Sequence, residues 1–219
     1  MAGMAGWLAA DRAQADGLFR TKALAENSVA RHFKPMPPDL KLPDVKLQSA
    51  AGWKSWRDLM GQPALVAVWA EWCAPCLAEA RDLAVLQRRY DGKGITILSL
   101  LSHSAKKLDL DGARALLARM DADSLPLWIE PDGGDRVASS LTRTETSPVD
   151  LPCVLLFDKG GRVRARSLGF VMQPQAGMQL GRHTLDDDEK DAMLNMRSEW
   201  AGPDGDAFVR ALCQGALED

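Results

Sequence analysis

The clearest pattern along the chain is an unbroken apolar run, Ala64-Leu65-Val66-Ala67-Val68-Trp69-Ala70, set between Pro63 and Glu71. It predicts a buried strand. Leu77 to Tyr90 follows with helical spacing, so a helix is expected over 73–90, and Ile95 to Leu101 predicts a second apolar strand. A strand, a helix and another apolar strand imply a right-handed parallel crossover. Leu110 to Met120 predicts a further helix, Leu125 to Ile129 a short apolar segment, and Pro131-Asp132-Gly133-Gly134 a turn. Cys153 to Phe157 and Val163 to Leu168 flank Asp158-Lys159-Gly160-Gly161, the pattern of a β-hairpin.

The flanking parts are less regular. Trp7, Leu8, Leu18, Phe19, Leu24, Val29 and Phe33 lie among charges and predict one or two amphipathic helical turns. Lys34-Pro35-Met36-Pro37-Pro38-Asp39 predicts an extended linker, so domain structure is expected from about Leu40. Lys41 to Gln48 alternates like a short strand, and Trp53 to Leu59 predicts a helical turn. Gln173 to Asp206 is polar and weakly periodic and suggests an insertion, with a helix over Asp188–Trp200, that contacts clients or partners. Asp206 can cap a final helix, Ala207 to Leu217.

Composition narrows the classes. With 219 residues and 46% apolar content the chain can bury one real core. A net charge of −3 with mixed signs leaves no footprint for nucleic acid or an anionic membrane. Four cysteines are too few for a disulfide scaffold. No apolar run is long enough to span a bilayer, and the first thirty residues show no signal-peptide h-region.

The candidate chemistry sits between the first central strand and its helix, at Trp72-Cys73-Ala74-Pro75-Cys76. Cys73 falls at the helix N-terminus, where unpaired N–H groups and the helix dipole favour a thiolate. Positions i and i+3 of a first turn face the same way, so the two sulfurs can bond. Pro75 is tolerated because its missing N–H has no helical partner there. Cys73 is expected to be the exposed nucleophile and Cys76 the buried resolving thiol. The competing readings are a metal-binding pair and a structural disulfide; a zinc site would need a second ligand pair, and no other CxxC, CxxH or HxxxH occurs.

Trp69 to Cys76 resembles the active-site run of the thioredoxin superfamily. The wider pattern is closer to its TlpA/ResA/CcmG (DsbE) branch of membrane-tethered or periplasmic thiol reductases. Leu42-Pro43-Asp44-Val45 and Trp56 to Pro63 resemble that branch's N-terminal hairpin and lead-in. Glu79 sits where the branch carries a glutamate, and Leu151-Pro152 followed by Val154 to Val163 resembles its cis-proline strand and turn. The resemblance covers residues 40–170 and the last helix. It implies an α/β, thioredoxin-like fold with a central mixed sheet, in which residues 1–39 are an extension and linker and 40–219 the domain, with 173–206 inserted.

By that resemblance Cys73, Cys76 and Glu79 are catalytic, and Trp72, Ala74, Pro75, Leu151 and Pro152 bind the substrate. No cofactor is implied beyond the redox-active disulfide, and no metal. The implied partners are client proteins with cysteines or disulfides, such as apocytochrome c or copper-site proteins, and an upstream membrane electron donor. The implied location is periplasmic or extracytoplasmic, with a cytoplasmic one left open. The chain departs from the pattern at Ala67, where ordinary thioredoxins bury an aspartate, at Arg81, where the branch often has proline, and in 173–206.

Glu79, one turn beyond Cys76, either moves a proton at the thiol or is a solvated helix residue. Cys153 and Cys213 are expected to be buried core thiols, with a disulfide between them as the lesser alternative. His32, His103 and His183 show no ligand spacing, and Trp7, Trp53, Trp128 and Trp200 are expected in packing. The function expected is thiol:disulfide exchange, with a copper metallochaperone or a non-catalytic interaction module as alternatives.

Overall fold

The computed structural model describes residues 18–37, 41–141, 151–168 and 197–217. Eight strands form one mixed sheet: β1 (Phe33–Pro35), β2 (Leu47–Ser49), β3 (Gly52–Lys54), β4 (Ala64–Trp69), β5 (Thr96–Leu101), β6 (Leu127–Ile129), β7 (Cys153–Phe157) and β8 (Val163–Leu168), in the order β1-β8-β7-β4-β5-β6-β2-β3. The helices are α1 (Lys22–Ala25), α2 (Ser28–His32), α3 (Ala74–Tyr90), α4 (Leu110–Arg119), α5 (Arg136–Leu141) and α6 (Pro203–Cys213). The fold is α/β, with the central mixed sheet flanked by helices that was expected.

The middle of the sheet follows from the apolar pattern. β4 pairs parallel with β5 and antiparallel with β7, and β5 pairs parallel with β6. All six residues of β4 are buried, which is why the run is apolar without alternation. Its side chains alternate between two cores. Leu65, Ala67 and Trp69 join the cluster containing Leu83, Leu117, Trp200 and Phe208, whereas Ala64, Val66 and Val68 join the one containing Leu59, Val137, Leu141 and Phe157.

The periphery departs from expectation. Lys34 and Pro35, read as linker, belong to β1, an edge strand on β8 with Phe33 opposite Ser167. An edge tolerates Pro35 because the missing N–H costs no interior ladder bond. Phe33 is buried against Trp200 and Phe208, with ring centroids 6.1 and 5.1 Å away. Asn27 caps α2 through the Ala30 N–H at 2.9 Å, and its amide donates to the Asp204 carbonyl at 2.8 Å. The described part of the N-terminal stretch is thus docked on the last helix.

Of the strand expected over 41–48 only the end pairs, as Leu47–Ser49. Trp53, expected in packing, is instead 62% exposed on the outermost strand β3. The turn expected over 53–59 begins later, at Trp56–Leu59, where Asp58 accepts from the Ser55 N–H at 2.8 Å. Trp56 donates to the Pro43 carbonyl at 3.0 Å and stacks on Phe157.

The last helix starts earlier than expected and ends earlier. Pro203 opens it, in the first-turn position that proline favours. Asp206 is therefore a first-turn acid, ion-paired with Arg89, rather than the cap. The helix stops at Cys213 because Gly215 takes the left-handed conformation, φ +80°. The helix expected over 188–200 falls outside the described residues up to 196; its end, Glu199–Ala201, is a short 3₁₀ turn with Trp200 fully buried.

Candidate redox site

β4 ends at Trp69, and the chain turns into α3 through a single tight bend. The Cys73 N–H donates to the Ala70 carbonyl at 3.1 Å, and the Cys73 carbonyl accepts from the N–H groups of Cys76 and Leu77 at 3.0 and 3.3 Å. Cys73 is the N-cap residue of the 17-residue α3, with Pro75 in its first turn. Its sulfur is therefore held at the positive end of the helix dipole. Cys73 and Cys76 form a disulfide, with S–S 2.01 Å and Cα–Cα 5.3 Å.

The expected contrast between an exposed Cys73 and a buried Cys76 is nearly absent in this oxidised state, at 5% and 2% exposure. Both cysteines are packed into the core cluster that also holds Trp69 and Leu77, with Leu151 against its edge. The exposed group at the site is Trp72, 49% accessible. Its indole N–H donates to the His103 carbonyl at 3.0 Å, and its ring meets His103 edge-on at 5.6 Å. Next to it, Glu71 accepts from the Lys106 N–H at 2.6 Å, so the loop after β5 is tied to the approach to the disulfide.

The Leu151–Pro152 peptide is cis and leads directly into β7. Cys153 pairs with Val68 in the register of β7 on β4, which brings Pro152 beside the end of β4 where the CxxC begins. Cys153 is buried in the core on the sheet face opposite the disulfide, while Cys213, expected to be buried, is half-buried against the disulfide-side core, and neither is in a disulfide. The sheet between them rules out the second disulfide. Burial pushes the Cys213 thiol upward.

Glu79 is not a solvated helix residue. It is 2% exposed, and its Oε1 accepts from the Trp200 indole N–H at 2.9 Å. Burial pushes its pKa up to about 8; the Trp200 hydrogen bond works against that, and the nearby Asp82 charge adds to it. One turn further along α3, Asp82 is fully buried. Its Oδ2 accepts from the Ser198 N–H and hydroxyl at 2.7 and 2.8 Å, and its Oδ1 meets Arg197 at 2.9 Å and Arg81 at 3.8 Å. Cys76, Glu79 and Asp82, three residues apart, thus line one side of α3, and the last two are met by residues 197–200. Ala67, where the resemblance set a missing aspartate, lies on the same core as the disulfide. The buried acid of this site comes from the helix rather than from the strand.

Trp200 is buried as expected of a packing residue, but its bond to Glu79, and the parts played by Asp82, Arg197 and Ser198, were not expected. The i, i+3, i+6 spacing of Cys76, Glu79 and Asp82 was the available signal for Asp82. Arg197 and Ser198 fall in the stretch expected to be an insertion, where nothing singles them out. His103 and Asp135 lie 3.5 Å apart, and His32 and Glu199 3.8 Å apart, while His183 is outside the described residues. Among the described residues there is no group of three or more His, Cys, Asp or Glu side chains placed to hold a metal, and no helix long and apolar enough to cross a membrane.

The raised Glu79 pKa has a consequence for stability. Between pH 4.5 and 8 the folded protein holds a proton that the unfolded chain has released. Stability from this group is therefore fully present at the low end and is lost as pH rises through about 8, by at most about 1.4 kcal/mol per pH unit. Urea unfolding of the oxidised protein at several pH values should show this slope, and Glu79→Gln should remove it. Parallel profiles for the two proteins would mean that Glu79 titrates near its ordinary value.

Residues 38–166 match the model of the AhpC/TSA family. Among solved structures, a protein assigned as thiol:disulfide interchange protein DsbE from Chlorobium tepidum is 20% identical, with TM-score 0.49, covering 78% of this chain and 95% of that one. A secreted thiol-disulfide isomerase from Corynebacterium glutamicum is 23% identical, with TM-score 0.46 and coverage of 62% and 87%. A thiol:disulfide interchange protein from Bacteroides sp. is 20% identical, with TM-score 0.47 and coverage of 58% and 79%.

Proposed function

We propose, from the premise that this chain belongs to the AhpC/TSA family, that it is a thiol:disulfide oxidoreductase that reduces disulfides of particular extracytoplasmic client proteins. The observation that carries the reading is the Cys73–Cys76 disulfide at the N-terminus of α3 with the buried Glu79 carboxyl one turn below. The working cycle moves two electrons. In the reduced protein the Cys73 thiolate attacks one sulfur of the client disulfide and expels the other as a thiolate, which takes a proton from solvent. Cys76 then loses its proton, to solvent below the Glu79 titration and to the Glu79 carboxylate above it; its thiolate attacks the Cys73 sulfur and expels the second client sulfur as a thiolate, which takes a proton from solvent. The Cys73–Cys76 disulfide closes, and the client leaves as a dithiol.

Recharging reverses these steps. A thiolate of an upstream dithiol donor attacks Cys73, Cys76 departs as a thiolate, and Glu79 protonates it. The donor is left as a disulfide. A carboxyl that holds its proton up to about pH 8 suits this acid role near neutrality. Leu151 and cis-Pro152, at the start of β7 next to the end of β4, would supply the backbone against which an extended client segment lies, and the exposed Trp72 apolar contact. Ala74 and Pro75 add no cation next to Cys73, which favours a reducing couple.

The test is direct. The protein should reduce insulin with dithiothreitol as donor, and its couple should equilibrate with glutathione at roughly −200 to −270 mV, far from strong oxidants near about −120 mV. A potential above about −150 mV would assign it to oxidation or isomerisation instead. No insulin reduction at all, together with tight copper binding by the dithiol, would replace the oxidoreductase reading with that of a metallochaperone.

A further inference from the structure

Residues 197–200 close the active-site helix from below, and they do so with polar groups rather than by packing alone. Trp200 is 1% exposed, yet its one polar atom is spent on Glu79 Oε1 at 2.9 Å. A buried phenyl ring could fill most of that space. An indole there adds one directed donor, aimed at the carboxyl nearest the resolving cysteine on the same helix.

The turn that carries Trp200 is itself fixed from several sides. The Ser198 N–H and hydroxyl bind Asp82, Arg197 pairs with Asp82, and Glu199 lies 3.8 Å from His32 of α2. From α6, Gly205 approaches so closely that an added Cβ would lie 2.3 Å from the Trp200 carbonyl oxygen. The indole therefore has little freedom to swing away from Glu79. Asp82 is the one charged side chain whose field bears on Glu79 among the described residues. The acids of α6 are engaged elsewhere, Asp204 with the Ser28 N–H at 2.7 Å and Asp206 with Arg89.

Resting on the reading of Glu79 as proton carrier for Cys76, we propose that Trp200 is a positioning residue for that transfer: its N–H holds Oε1 and stabilises the carboxylate, setting the pH at which Glu79 changes from acid to base. Arg197 and Ser198 act one step further out, by occupying Asp82. The reaction site then includes the end of the polar segment before α6.

Two measurements test this. The first is titration of the Glu79 carboxyl by carbon-13 NMR in the oxidised protein, where neither Cys73 nor Cys76 titrates. The second is the rate constant for reduction of the protein disulfide by dithiothreitol, expressed per thiolate and read by alkylation and mass spectrometry. In the wild-type protein that constant falls as pH rises through the Glu79 titration, because the acid for departing Cys76 is lost. In Trp200→Phe both transitions should move to higher pH by about one unit or more, since a donor to the charged form has been removed. If Trp200→Phe does not fold, site-specific replacement of Trp200 by benzothienylalanine keeps the bicyclic shape without the N–H and should give the same shift. Unmoved transitions in either folded variant overturn the proposal. Glu79→Gln separates it from the reading beneath: a pH profile unchanged by Glu79→Gln removes Glu79 from the chemistry, whereas a profile lost in Glu79→Gln but unmoved in the Trp200 variants removes only Trp200.

Discussion

Cys73→Ser should lose disulfide exchange entirely, while Cys76→Ser should keep the first half of the reaction and stop there. The asymmetry follows from position on α3. Cys73 caps the helix and has the dipole behind it, and Cys76 lies inside the first turn with a buried carboxyl one turn on. Without Cys76 the mixed disulfide has no intramolecular thiol to release it and should accumulate as a covalent adduct with a disulfide-bearing protein. Non-reducing gels and mass spectrometry would show that adduct for Cys76→Ser and none for Cys73→Ser. In the reduced wild-type protein, alkylation near neutral pH should mark Cys73 first. Adducts that form through Cys76, or faster labelling of Cys76, would invert the assignment.

The largest effect on stability should come from adding one methyl group. Within a helix Gly→Ala ordinarily stabilises by up to about 1 kcal/mol. Gly205→Ala should instead destabilise by about 3 kcal/mol or more, because the new Cβ would meet Trp200 backbone atoms at 2.3, 2.7 and 2.7 Å. The backbone of the 3₁₀ turn cannot retreat without pulling Trp200 out of the cluster it forms with Phe33 and Phe208, where the ring centroids are 6.1 and 5.9 Å away. Urea denaturation of the oxidised protein gives the number. A variant as stable as the wild type would show that the turn is free to move and that the contact imposes nothing.

What could be read in advance was what the chain encodes locally. β4, α3, β5 and the β7–β8 hairpin are each a continuous apolar or periodic stretch bounded by turn residues, and each lies within a residue or so of its expected limits. β1 was missed because Lys34 and Pro35 look like a linker, and only its partner β8 makes them a strand. The start of α6 was misplaced because Asp206 has the chemistry of a cap, whereas Pro203 had already opened the helix. At the site, Cys73 and Cys76 announce themselves by spacing, and Glu79 follows by helical geometry. The contacts of Trp200 with Glu79 and of Ser198 with Asp82 join positions 121 and 116 residues apart, and no local pattern marks such partners. Trp53 shows the opposite error: a large apolar residue suggests a core, but the outermost strand leaves it in solvent.

The described chain enters at Leu18 and leaves at Leu217, and these two ends are laced together: the Arg20 N–H donates to the Ala216 carbonyl at 2.7 Å, and Phe19 bridges Leu217. Around them a cavity of about 150 Å³ is walled by Arg20, Leu212, Cys213 and Leu217 on one side and by Pro63 and Lys159 on the other. Pro63 precedes β4, and the disulfide follows it, so the six residues of β4 separate the two poles by about 20 Å. Leu18 and Leu217 therefore lie on the side remote from the sulfurs. A label attached at Arg20 or Gln214, both exposed, thus stands clear of the reacting face, where Trp72 is the exposed side chain.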